Sequence, residues 1–544
     1  MPMNHRLLRP RASRSVAGFD PAAAAYITAV EAADGQALET GVRDAINTFI
    51  TGCKSDGIWS AIKASCILMG ARTLAGALTP LAGAAPTNNN FVSGDYSRRA
   101  GLKGNGSNKT LNSNRANNAD DKDNCHAYAY VSGAPGNLTI NGVFGAGWYA
   151  GNDRFLAWVD QANNLVYTSA NNAAQNITQA TRSIGGWGVA RSGASSWEWM
   201  HGTTPYARSE ASVTPASGNV LFFTAGNVGA SAKRMAFYSL GANLSLATLH
   251  ARVSTFYNAI GVVIVPQVSN ADAQDWLNRV YDNGGTVSAT TASAVNTFCN
   301  AIDAAGIRDR FYRLNLFCGN SDASLIAVRT PLYRSQVPGG TQFGNTLDTN
   351  VNFAITDYAE TGASGGLLGD GTSKYLSTGL TPAAMPEIAT GHLSAYIPSL
   401  APGSTRALMG AASGSQQFQL THRLTGGNQV QVRATWGGTS SSDDTFGAGV
   451  TTLPGGLWTI TRTSSTAITK YNNATSKATG TTSTTPATHT NGWFVHASNS
   501  AGTAASFANH RILSYSIGAS MTAQQVSDYN AAIQAFQTAL SRNV

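Results

Sequence analysis

The sequence predicts a mainly β protein with helical segments, built as two antiparallel jelly-roll sandwiches, each preceded by a small helical segment. The first observation is a repeated word: GLKGNGSNKTL at 101–111 returns as GLLGDGTSKYL at 366–376. Around it Asp95-Tyr96 returns as Asp357-Tyr358, the TPL of Thr79–Leu81 as Thr330–Leu332, and HAYAYV from His126 as HLSAYI from His392. A spacing of 250–266 residues is far longer than a solenoid repeat of roughly 20–50, so it marks two similar lobes. The second observation is a change of period within each copy, from one apolar residue every three to four to short alternating runs.

Residues 1–20 read as a flexible basic arm, because Arg6, Arg9, Arg11 and Arg14 precede the first acid, Asp20, and little between them imposes structure. Residues 21–83 read as helical: Tyr26, Ile27 and Val30, a break at Asp34-Gly35, then Leu38, Val42, Ala45, Ile46, Phe49 and Ile50 follow helical spacing. Ser65–Leu78 is placed in the same helical segment. Residues 84–265 read as the first sandwich, through HAYAYV, FLAWV, VLFFTA and MAFYSL separated by Gly and Asn. Residues 266–334 repeat the helical pattern in Trp276, Leu277, Val280, Val295, Phe298 and Ile302, with Phe317–Val328 matching Ser65–Leu78. Residues 335–520 form the second sandwich, through VQVRATW, LWTITR, GWFVHA and HRILSYSIG, and 521–544 a final helix capped by Thr522.

The 544 residues suffice for two cores. The net charge of +8 loses four units to the N-terminal arginines, and no long basic stripe remains, so nucleic acid is not expected as the main partner. No run of 18 apolar residues predicts a membrane span, and no apolar core follows the basic start as in a signal peptide. Five cysteines, an odd number, fit reduced buried thiols better than a disulfide framework.

Catalytic signals are weak, and no catalytic or cofactor-binding residue is assigned. The glutamates lack partners at the i, i+2 spacing that would pair carboxylates on a strand for glycoside hydrolysis. Asp120, Asp121 and Asp123 cluster in NNADDKDN, which reads as a solvated loop, with calcium held by oxygen ligands as the alternative. Cys125 and His126 are strand neighbours that face opposite ways, which argues against zinc. Gly145-Ala146-Gly147 and Gly151 miss the dinucleotide fingerprint by one place. Lys109 and Lys374, in the repeated word, read as structural. Trp197, Trp199 and Tyr206 around His201 form the candidate contact surface, although aromatics on sandwich strands more often fill a core. Asn227, Arg154 and Arg191 are candidates for an edge.

DAINTFITGCKSDGIWSAIKASCILMGARTLAGALTPL, followed by DY, GLKGNGSNKTL and closely spaced strands, resembles bacteriophage virion structural proteins with duplicated concanavalin A-like, laminin-G-like jelly-roll modules. The resemblance covers the recognisable words at 44–131 and 293–397. It implies a non-enzymatic structural component of a phage particle that packs against other virion proteins and forms a homo-oligomer. It also implies location in a virion assembled in the host cytoplasm, with the arginine arm docking on a neighbour. The alternative is a fibre or decoration module binding host-surface glycan, and the minor alternative a polysaccharide hydrolase.

Overall fold

A computed structural model describes residues 18–542 apart from 134–139, 147–153, 161–164, 174–175, 180–183, 227–228, 320–324, 401–404, 426–428, 438–440, 446–451, 465 and 481–485. The chain divides into unit 1, ending at Val265, and unit 2, beginning at Pro266.

Unit 1 opens with α1 (Pro21–Asp34), capped by the Asp20 carboxylate and closed by Gly35 at φ +67°, a conformation glycine adopts without penalty. After α2 (Thr40–Ser55) the chain enters an antiparallel sheet. Its order is Thr204–Ser209, Ser196–Gly202, Gly185–Arg191, Cys125–Gly133, Arg234–Gly241, Ile62–Ile67 and Pro80–Ala82. A second antiparallel sheet, from Asn176–Gln179 through Leu165–Asn172, Arg154–Asp160, Ile140–Ala146, Asn219–Phe222 and Thr110–Ala116 to Thr87–Asn89, faces it. Trp187, Val189, Trp199 and Tyr238 of the first sheet share one core with Phe144, Phe155, Val166 and Phe222 of the second. The first sheet's outer face carries Tyr128, Ala190, Met200 and Phe237 against Ile27, Phe49, Leu249 and Val253. The last two belong to α4 (Leu246–Ile264), which follows a short α3 (Leu74–Ala77) much earlier in the chain.

Unit 2 repeats the helical cover with α5 (Ala271–Asp282), α6 (Ala289–Ala304), a short α7 (Ile326–Arg329) and the terminal α8 (Ala523–Ala539). Its strands sort differently. One sheet runs Phe311–Asn315, Ser514–Gly518, Gly391–Ile397, Gly456–Ser464, Ala467–Asn472 and Thr475–Gly480. Another is centred on Arg406–Ser413 and Gln416–Thr425, and Tyr358–Ala359, Gly366–Leu368 and Arg511–Ile512 form a third.

The architecture is therefore mixed α and β with a partly sandwich-like arrangement, which corrects the expectation of two discrete jelly rolls behind separate helical segments. Ile62–Ile67 and Phe311–Asn315, inside the stretches read as helical, are sheet strands, and among the described residues there only Leu74–Ala77 and Ile326–Arg329 are helical after them. Apolar and polar residues do alternate in both, Ile62, Ala64 and Cys66 against Lys63 and Ser65, and Tyr312 and Leu314 against Arg313 and Asn315. The alternation spans five or six residues only, too short a period-2 signal to break the helical reading of the flanking segments. Residues 246–264, read as sandwich, form α4, whose buried Leu246, Leu249, His250, Val253, Phe256 and Ile260 follow helical spacing.

The duplication reaches individual hydrogen bonds. Asn105 Oδ1 accepts from the backbone N–H of Ser107, Asn108 and Lys109, and Asp370 Oδ1 accepts from those of Thr372, Ser373 and Lys374. Lys109 Nζ then reaches Asp95 at 2.5 Å and Lys374 Nζ reaches Asp357 at 2.7 Å, which explains why the repeated lysine travels with the repeated Asp-Tyr. Each Asp also accepts from the backbone three residues earlier, and Tyr96 and Tyr358 each donate to a backbone carbonyl at 2.8 Å. His126 contacts Ala242 O and Ser239 Oγ at 2.6 and 2.8 Å, and His392 contacts Ala519 O and Ser516 Oγ at 2.7 and 2.9 Å. Each of these partly buried lysines holds a charged hydrogen bond, so Lys109→Ala is expected to destabilise unit 1, and Lys374→Ala unit 2, by about 1.5–3 kcal/mol. The midpoint of urea unfolding checks this, with Lys103→Ala, an exposed neighbour, as the control that should change little.

Candidate functional site

The candidate contact surface lies on one hairpin of unit 1. Gly202 at φ +73° turns the chain between Ser196–Gly202 and Thr204–Ser209, and the register then sets Trp197 opposite Arg208, Trp199 opposite Tyr206 and His201 opposite Thr204. Alternation sends Trp197 and Trp199 into the inter-sheet core, where both are buried. Tyr206 behaves differently. Its ring stacks on Trp199 at 4.8 Å between centroids with a 23° interplanar angle, yet 42% of the residue stays exposed. The guanidinium of Arg208 sits 5.8 Å from the Trp199 ring centre, and its Nη2 donates to Thr178 Oγ1 at 3.4 Å. His201 packs edge-on against Trp187 at 4.4 Å, and burial, helped by the charge of Lys233, pushes its pKa down to about 4, so the imidazole is neutral at pH 7.

The other face of the same strands forms an open groove of about 400 Å³. Ser192, Ser196, Glu198, Asn243 and Ser245 line it, with Trp197 and Arg208 at its margin. Glu198 Oε1 accepts from Leu246 N at 3.0 Å, in the first turn of α4, where a carboxylate also meets the positive end of the helix. Hydroxyl, amide and carboxylate groups thus line one face of the hairpin, the exposed Tyr206 ring stands on the other, and Arg208 is common to both. The sequence cluster named Tyr206 and its neighbours but missed Arg208, Glu198 and Asn243. Arg208 was legible as the i+2 neighbour of Tyr206, whereas Asn243 comes from a loop 35 residues further on.

Unit 2 does not repeat this surface. Trp187–Arg191 of unit 1 corresponds to Trp458–Arg462, and their pairings set Ile468, Lys470 and Asn472 where unit 1 has Trp197, Trp199 and His201. Lys470 is buried and donates to Val432 O at 2.6 Å.

The other sequence candidates separate. Asp120 is bound by Arg115 through two hydrogen bonds, Asp121 accepts from Asp123 N, and Asp123 pairs with Lys122, so the three carboxylates serve three local partners. No group of three or more metal-ligating side chains suited to an ion occurs among the described residues. Cys125 faces the inter-sheet core, while His126 is held on the other face of its strand. All five cysteines are buried and free, and burial raises the thiols of Cys53, Cys125 and Cys299 to about 12. Arg191 does not line an edge, because it is buried and donates to the carbonyls of Ala170, Gly193, Ala194 and Glu210. Arg6, Arg9, Arg11, Arg14, Asn227 and the side chain of Arg154 lie outside the described residues. No helix among the described residues is long and apolar enough to cross a membrane.

No family model matches the chain, and no curated protein does. Solved structures match over short stretches. One is the native heptameric SAP-like pentraxin from Limulus polyphemus, at 11% identity over 26% of this chain and 70% of that one, with a TM-score of 0.20. Another is CBM40 of the Ruminococcus gnavus IT-sialidase bound to α2,3 sialyllactose, at 11% identity over 28% and 92%, TM-score 0.22. A third is a mutant of NanB sialidase from Streptococcus pneumoniae, at 16% identity over 26% of this chain and 23% of that one, TM-score 0.21. At such scores the likeness carries no argument, and the site stands on its own geometry. The expectation of a bacteriophage particle component is corrected: no family model and no curated protein ties the chain to a virion, and none of the solved structures named above is a virion protein.

Proposed function

We propose that the protein binds a glycan at the Tyr206–Arg208 edge of unit 1. The observation that carries this reading is Tyr206 itself, the one aromatic among the large hydrophobic side chains that stand exposed in the described residues. Trp199 covers one side of its ring and fixes it, so a sugar ring can stack on the exposed side with little ordering cost. Arg208 stands beside it on the edge strand and also lines the groove on the opposite face, where Ser192, Ser196, Glu198 and Asn243 offer donors and acceptors to a glycan that wraps around this edge. Binding without turnover is part of the proposal. Glu198 is the one carboxylate lining the groove, it already holds the α4 backbone, and glycoside hydrolysis needs a second carboxyl across the bond.

Tyr206→Ala is expected to weaken binding to an immobilised polysaccharide panel at least tenfold, about 1.4 kcal/mol, because the stacking partner is gone. Since Tyr206 is half exposed, the melting temperature should change little. Retained affinity in Tyr206→Ala and Arg208→Gln would remove the site. Reducing-sugar release from a bound polysaccharide would remove the non-catalytic part alone.

A further inference from the structure

Because the two units are copies, positions where they differ compare the molecule with itself. Phe223 and His496 are such a pair. Both have left-handed backbones, at φ +66° and +67°. Their N–H groups donate to Val143 O and Leu408 O, and their carbonyls accept from Ser231 N and Ala508 N at 2.7 Å in each case. Phe91 meets the Phe223 ring edge-on at 4.9 Å, and Phe353 meets the His496 ring edge-on at 5.2 Å. An aromatic hydrocarbon in unit 1 has become an imidazole in the same pocket of unit 2.

Two more histidines join it. His510 occupies the place of Lys233, since the carbonyls of these residues accept from Gly369 N and Gly104 N. The strand register sets His422 where unit 1 has Val159. His422 Nε2 and His510 Nδ1 are 3.4 Å apart, and His422, His496 and His510 are exposed by 0%, 0% and 9%. Among the described residues, both ring nitrogens of His496, Nδ1 of His422 and Nε2 of His510 have no hydrogen-bond partner. The cluster lies against the repeated word, because a Cβ on Gly369 would stand 2.9 Å from His496 Nδ1.

We propose that the buried cluster of His422, His496 and His510 is an acid-sensitive latch on unit 2. Proton uptake opens the sheet carrying Arg406–Ser413 and Gln416–Thr425 and frees the 366–377 turn, while unit 1 keeps its fold. The charges facing the cluster do not neutralise it. Arg406 adds positive charge beside His422 and His510, and its guanidinium already holds Gly371 O and Phe507 O. Asp357 and Asp370 face His496, but Lys374 occupies the first, and Ser373 with three backbone N–H groups occupies the second. Burial pushes His422 down to about 4 and His496 to about 3, and holds His510 well below its usual value. Each histidine therefore stays neutral in the fold but protonates in the opened chain. The stabilisation is complete above the ordinary value of 6.5 and is lost as pH falls from there toward 4 and 3. Unit 1 keeps His126, which His392 duplicates, His250, whose ring nitrogens meet Tyr128 and Ser254, and His201, which packs on Trp187. Burial holds His126 and His201 down to about 4 as well, so acid weakens unit 1 through these separate imidazoles and unit 2 through the cluster in addition to His392.

Hydrogen exchange of the full chain at pH 7.5 and 4.5, corrected for intrinsic rates, tests the latch. Peptides covering 406–425 and 494–512 are expected to lose protection at least tenfold more than peptides covering 185–202 and 234–241. Equal loss in both units, or none in unit 2, overturns the proposal. His496→Phe and His422→Val, which install the residues of unit 1, should shift the opening to lower pH, and an unchanged opening pH would also overturn it. If a variant fails to fold, histidine NMR titration of the unaltered chain decides: the cluster should stay neutral until opening, and titration near 6.5 in the folded chain overturns the latch.

Discussion

Asp348→Ala is expected to destabilise unit 2 by about 3–5 kcal/mol, the cost of leaving a buried charge without its counter-ion. Arg313 and Asp348 are both fully buried and meet at 2.7 Å. Asp348 also accepts from Tyr515 Oη at 2.8 and 2.9 Å and from Asn315 Nδ2 at 2.8 Å, so one carboxylate satisfies three side chains. Removing it leaves the guanidinium with Phe343 O and the Tyr515 hydroxyl in an apolar core. Unit 1 indicates how the loss can be repaired. Alignment of the copies puts Ala64, Cys66 and Pro86 where unit 2 has Arg313, Asn315 and Asp348, so the same core packs without the ion pair. Arg313→Met combined with Asp348→Leu should therefore cost less than Asp348→Ala alone. Urea unfolding of the three proteins checks the order. A double variant no more stable than the single one would show that the network shapes unit 2 rather than merely balancing its charges.

Gly104→Ala is expected to cost unit 1 about 3 kcal/mol or more, because overpacking against rigid backbone has no cheap relaxation. A Cβ at Gly104 would fall 1.9 Å from Ser231 O, and one at Gly369 would fall 2.2 Å from Ala508 O. Both glycines donate into the adjacent chain, to Lys233 O and His510 O, so the turn cannot swing away without breaking those bonds. Gly106 and Gly371 add a second requirement through φ of +72° and +77°. Thermal unfolding should show the loss for Gly104→Ala and a much smaller one for Gly94→Ala, where an added Cβ meets nothing within 4 Å.

The repeated word was readable because its constraints are local: two glycines, a side chain capping three N–H groups and a lysine returning to an aspartate fit within about twenty residues. The helical covers were readable where one face is polar, as in α2 and α5. The strands Ile62–Ile67 and Phe311–Asn315 were not, because their alternation spans only five or six residues and their polar positions Ser65, Arg313 and Asn315 are buried with the apolar ones, so polarity did not mark a solvent face. The contact surface was half legible. Spacing along one strand put Trp197 and Trp199 on a common face, but which aromatic stays exposed depends on the hairpin partner, and Asn243 reaches the groove only through the fold. The histidine cluster could not be read at all, since His422, His496 and His510 are spread over 88 residues and meet only through sheet pairing.

The most direct measurement for the binding site is a hydrogen-exchange footprint of the full chain with and without the oligosaccharide that binds best in the panel. Protection is expected in 196–209 and 243–246, absent from 467–480 of unit 2, and abolished by Tyr206→Ala. A footprint elsewhere that survives this substitution would contradict glycan binding at the Tyr206–Arg208 edge.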